Sequence, residues 1–246
     1  MISFRIPFFA LLAWNLLQAQ APPLQPSPVN PITQQRGDIF MARKMYREAI
    51  DTYTQGDQKS PVTWNKIGIA WHSMANMQMA RKSYEKAIKL DRKYADAVNN
   101  LGAVYYAEKK FTAAITRYKK AIELSPGSAS FWSNLGTAFY ARGKYDLMME
   151  SYTKAIELDP QIFEHKGGVG TELQERNVAD RAKYHFEMAK MYAKMGKIEL
   201  ALLNLRRSLE EGFKEKEKIS KMVEFAGLLE VQEFKDLMAL EQRVIN

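Results

Sequence analysis

Gly68, Gly102 and Gly136 stand 34 residues apart, and this spacing constrains the chain more than any other feature. Trp71, Tyr105 and Phe139 keep the same interval. So do Ala87, Ala121 and Ala155, and likewise Ile88, Ile122 and Ile156. One motif written three times over residues 61–162 marks a repeat array rather than a single core, and a period of this length points to stacked helix pairs. Such an array is stabilised by nearest-neighbour packing and needs no large shared interior.

Within residues 95–128, Val98, Leu101 and Tyr105 recur at i, i+3 and i+7 and line one face of a first helix. Phe111, Ala114, Ile115, Tyr118, Ala121 and Ile122 do the same for a second helix, which Pro126-Gly127 ends. Gly102 and Ala114 are the small residues of the pair. They are expected to face each other where the helices cross, since axes approach to about 8–10 Å only over small side chains.

These residues resemble the tetratricopeptide repeat, whose signature is W-x2-L-G-x2-Y, then A-x3-F, then A and P. Residues 61–94 supply Trp64, Ile67, Gly68, Trp71, Ala80, Tyr84 and Ala87, with Arg92 at the usual proline. Residues 95–128 supply Val98, Leu101, Gly102, Tyr105, Ala114, Tyr118, Ala121 and Pro126. Residues 129–162 supply Trp132, Leu135, Gly136, Phe139, Met148, Tyr152, Ala155 and Pro160. Degenerate units flank them at residues 36–60 and 182–215. The resemblance implies an all-α fold, a right-handed superhelical solenoid of stacked antiparallel helix pairs. Residues 216–246 are expected to form capping helices, because the end of a stack must be covered. Residues 163–181 read as an inserted loop. Its run Gly167-Gly168-Val169-Gly170-Thr171 lacks the lysine and the spacing of a phosphate-binding loop.

Arg5, an apolar run over residues 6–17 and the small residues to Ala21 form a signal-peptide pattern over residues 1–21, with cleavage after Ala19 or Ala21. Export to the periplasm or the exterior is the expectation. Five prolines between residues 22 and 31 make residues 22–35 a proline-rich linker. The chain has no cysteine, which removes thiolate catalysis, thiolate metal sites and disulfides together.

His72, His165 and His185 are isolated from one another, and no nucleophile, base or metal constellation emerges. Neither a cofactor nor a metal is expected, and the chain reads as a non-catalytic scaffold. In this family the first helices line a concave groove. By that resemblance Asn65, Asn99, Asn100 and Asn134, with Tyr106 and Tyr140, are the expected peptide-binding residues. Asn100 and Asn134 share the 34-residue period, as do Tyr106 and Tyr140. An amide donates and accepts at once, which suits the backbone of an extended peptide. The expected partner is a protein or peptide and not nucleic acid. Ile69, Ser130 and Asn134 stand where chaperone-clamping members carry other residues, so that sharper role is not implied. The alternative is an accessory subunit of an envelope assembly, docking through basic second helices that carry Arg81, Lys82, Lys86, Lys89, Arg117, Lys119 and Lys120. The net charge of +8 favours acidic surfaces weakly.

Overall fold

The computed structural model describes residues 31–163 and 178–239, and every regular element within them is helical. Five antiparallel pairs follow one another: α1 (Pro31–Ala42) with α2 (Tyr46–Thr54), α3 (Pro61–Ser73) with α4 (Met77–Leu90), α5 (Ala95–Ala107) with α6 (Phe111–Leu124), α7 (Ala129–Ala141) with α8 (Tyr145–Leu158), and α9 (Val178–Lys194) with α10 (Ile198–Glu210). A short α11 (Lys216–Ile219), a 3-10 turn (Val223–Leu228) and α12 (Gln232–Ala239) complete the stack. The signal-peptide reading, the glycine-rich run and most of the proline-rich segment lie outside the described residues. The helix α1 takes in residues 31–35, which composition alone had given to the linker. Pro31 sits at its first position, where a missing N–H costs nothing.

The turn inside each pair is built the same way five times. Lys44, Ala75, Lys109, Gly143 and Gly196 have φ between 57° and 69°, the left-handed region. The next residue then reaches back over the turn: Met45 N donates to Phe40 O, Asn76 to Trp71, Lys110 to Tyr105, Lys144 to Phe139 and Lys197 to Tyr192, each at 2.8–2.9 Å. This closure satisfies carbonyls that the end of a helix would leave bare. Asn76 adds a cap, its Oδ1 accepting from Met79 N at 3.1 Å.

What the repeated glycines make room for differs from the expectation. A Cβ on Gly102 would lie 2.7 and 2.8 Å from ring carbons of Tyr118, and one on Gly68 would lie 2.5 and 2.6 Å from the ring of Tyr84. The glycine is a seat for the tyrosine of the second helix, and Ala114 is not among the nearest neighbours of Gly102. Tyr53, Tyr84, Tyr118 and Tyr152 are all buried in this way. In the fifth pair Ala189 and Leu205 hold the corresponding places, a larger seat under a smaller occupant.

At the far end Phe186 stacks on Phe213 with centroids 4.0 Å apart, and Phe225 packs between Phe186 and Phe234. Ile219, Phe225, Leu228, Phe234 and Leu237 are buried there and cover the apolar side of α9 and α10.

Candidate functional site

The four asparagines expected to meet a ligand are given to one another. Asn134 Nδ2 donates to Asn99 Oδ1 at 3.0 Å, Asn99 Nδ2 to Asn100 Oδ1 at 3.3 Å, and Asn100 Nδ2 to Asn65 Oδ1 at 3.0 Å. Asn65 Nδ2 then reaches Tyr94 Oη at 3.4 Å. The result is an amide chain running across α7, α5 and α3. Asn65, Asn99 and Asn134 are buried in the seams between first helices, and Asn100 alone of the four is half-buried. The seating of three of these side chains in the seams is a correction to the expected groove. Each inter-helix bond joins residues 35 apart, not 34. The ladder stops at α9, where Glu187 stands in the place of Asn100 and Asn134. A carboxylate accepts and cannot donate, and Glu187 lies 2.6 Å from Lys190 instead.

Tyr106 and Tyr140 are half-buried at the ends of α5 and α7. Each packs against the first residue of the next helix: Tyr106 with Phe111 at 5.3 Å and Tyr140 with Tyr145 at 5.8 Å between centroids. These two aromatic pairs repeat in register. Phe111 belongs to the apolar stripe read from the sequence, whereas Tyr145, 34 residues on, is a residue that the sequence reading does not single out. Tyr184 of α9 meets Tyr140 edge to face at 5.4 Å, and Lys183 lies 4.3 Å over the Tyr145 ring. The Tyr140 hydroxyl donates to Asp180 O at 2.6 Å. Burial, then neighbouring Tyr145 and Asp180, push that hydroxyl well above the usual phenol range, so it is a neutral donor. The Tyr140 hydroxyl is therefore already engaged by the first turn of α9, while its ring remains half-open.

His185 Nδ1 lies 3.1 Å from Asn204 Oδ1, and burial pushes the half-buried His72 below its ordinary value. His165 lies outside the described residues. Among the described residues no group of three or more His, Asp or Glu side chains is placed to hold a metal ion. No described helix is long and apolar enough to cross a membrane.

Comparison with known proteins agrees with the fold. The TPR repeat family profile matches residues 78–109 and 104–143, and the tetratricopeptide repeat profile matches residues 129–162. No curated protein matches the chain. Among solved structures, PilF of Pseudomonas aeruginosa aligns with a TM-score of 0.56 at 19% identity, over 85% of this chain and 86% of that one. MamA residues 41–end from Desulfovibrio magneticus align with a TM-score of 0.51 at 19% identity, over 74% of this chain and 93% of that one. At these identities the likeness is one of fold. The tetratricopeptide-repeat profiles thus match residues 78–162, and the same helix pairing runs through the described residues 31–163 and 178–210.

Proposed function

We propose that the protein is a non-catalytic scaffold that holds an extended segment of a partner protein along the face of its first helices. The observation that carries this reading is the pair of half-buried aromatic contacts, Tyr106 with Phe111 and Tyr140 with Tyr145, repeated one helix pair apart. Aromatic rings offer apolar area at low entropic cost, with a polar edge toward water. Spaced by one repeat, they suit side chains that project alternately from an extended peptide. Asn100 stands on the same helix as Tyr106 and bonds to Asn65 of α3. Its amide uses one donor and one acceptor in the ladder, which leaves one of each for a peptide backbone. The buried Asn65, Asn99 and Asn134 support this face by fixing the stagger of the helices rather than by contact.

The test is selection of peptides from a random library on the full chain, followed by titration of the selected peptides against variants. Tyr106→Ser and Asn100→Ala should each weaken binding, by about tenfold for a lost aromatic contact. Peptides that bind equally well to both variants would place the binding surface elsewhere.

A further inference from the structure

The second helices form the outer layer of the stack, and their charge changes along it. The segment from α4 through the following turn, residues 77–93, carries six basic and two acidic side chains. The helix α6 carries three and one, while α8 carries one basic and three acidic side chains. The repeat allows position-by-position comparison. Where α4 has Lys89, α6 and α8 have Glu123 and Glu157. Where the turn after α4 has Arg92 and Lys93, the next two units have Pro126-Gly127 and Pro160-Gln161.

That exchange removes an ion pair. Lys120 meets Glu123 at 2.9 Å and Lys154 meets Glu157 at 2.7 Å. Lys86 stands in the same register as those lysines, and Lys89 occupies the place of their acid. Lys82, Lys86 and Lys89 therefore line one exposed stripe at i, i+4 and i+7, and none of them takes part in an ion pair among the described residues. Like charges at these spacings destabilise a helix. Two sibling helices of the same fold avoid the arrangement, so packing does not require it. Leu90 is 37% exposed at the end of this stripe. Lys86 Nζ lies 5.8 Å over the half-buried Trp64 ring.

We propose that the outer face of α4, with Arg92 and Lys93 beyond it, docks on the headgroups of an anionic phospholipid bilayer. Lysine and arginine carry long aliphatic stems with a cationic tip, which suits the boundary between headgroups and acyl chains. Leu90 lies among them as an apolar contact. The stripe lies on the outer layer of the stack. A site for single-stranded nucleic acid would interleave open aromatic platforms with the cations, whereas Trp64 is capped by Lys86. The acidic α8 on the same layer sets which part of the stack faces the surface.

The experiment is co-sedimentation of the full chain with vesicles, about one third anionic phosphatidylglycerol against neutral phosphatidylcholine, at low and high salt. The discriminating variant is Lys89→Glu, which gives Lys86 the acidic partner that Lys120 and Lys154 already have. It is expected to raise the melting temperature while weakening partition to anionic vesicles about 25-fold, at about fivefold per unit of charge near an anionic leaflet. Lys154→Ala on α8 should leave partition unchanged. Raising salt to about 0.5 M should release the wild-type chain. Three results would each overturn the proposal: equal partition to neutral vesicles, unchanged partition of Lys89→Glu, or stronger retention by a nucleic acid of matched charge than by vesicles.

Discussion

The seat that each glycine makes for a tyrosine can be tested by a double-mutant cycle at Gly102 and Tyr118. A methyl group at Gly102 would lie 2.7 and 2.8 Å from two ring carbons of Tyr118 and 3.2 Å from Arg117 Cβ. Ordinary carbon contacts settle at about 3.5–4.0 Å, so close to 1 Å of space must be opened. Tyr118 has no exposed area, and its ring cannot swing into water. Overpacking of this kind costs about 1–3 kcal/mol, offset by up to about 1 kcal/mol of improved helix propensity. Gly102→Ala should therefore destabilise by about 1–2 kcal/mol. Tyr118→Leu alone leaves a cavity and should cost about 2–3 kcal/mol. The double variant copies the Ala189 and Leu205 combination of the fifth pair, and its methyl enters space the ring has vacated. The double variant should accordingly lose at least about 1 kcal/mol less than the sum of the single losses. Urea unfolding followed by circular dichroism provides the measurement, with the slope on denaturant checked for constancy because long arrays depart from two-state behaviour. Additivity within about 0.5 kcal/mol, or a stabilised Gly102→Ala, would refute the seating argument.

Ala75 is held at φ 57° in the turn between α3 and α4. Relief of left-handed strain of about 1–2 kcal/mol exceeds the entropy that glycine adds to the unfolded chain, so Ala75→Gly should raise the melting temperature by about 1–3 °C, and Gly143→Ala should lower it. His72 is held below its ordinary value of 6.5 by burial, so the unfolded chain binds its proton more readily. Stability should thus fall as pH drops below 6.5 toward the folded value, and His72→Gln should flatten that part of the profile in thermal melts. Burial raises the Glu108 carboxyl, but the hydrogen bond from Lys110 and the charges of Arg81 and Lys110 outweigh it and hold the group below its ordinary value of 4.5. The stability it contributes is present above 4.5 and should be lost as pH falls through the depressed value. Glu108→Gln should remove that loss, as read from the acid limb of the same profile.

The array was legible because its strongest signals are steric. A glycine under a buried tyrosine tolerates almost no substitute, and Gly68, Gly102 and Gly136 repeat without error. The left-handed turn was harder to read, since Ala75, Lys109 and Gly143 occupy one backbone conformation with three different side chains. The hydrogen bonds that close the turn are made by the backbone, so sequence leaves little trace of them. The start of α1 is hidden in the sequence for a related reason. Proline reads as a breaker, yet at the first position of a helix it breaks nothing.

The candidate site shows where a period can mislead. Asn100 and Asn134 share a position in successive repeats, but equivalence in sequence is not a shared face open to a ligand. Equivalent positions in a stack are related by the rotation between units, and their side chains need not meet. Contacts form between positions offset by that rotation. Here the offset is one residue, so the bonds run from Asn65 to Asn100 and from Asn99 to Asn134. An Asn-Asn dipeptide at positions 99 and 100 serves both neighbours at once, Asn99 accepting from α7 and Asn100 donating to α3. This explains why two adjacent asparagines occur in α5, while α3 and α7 each need only one. The ladder then becomes a device for setting the stagger of three first helices. The aromatic pairs that remain half-open beside it are the surface which that stagger presents.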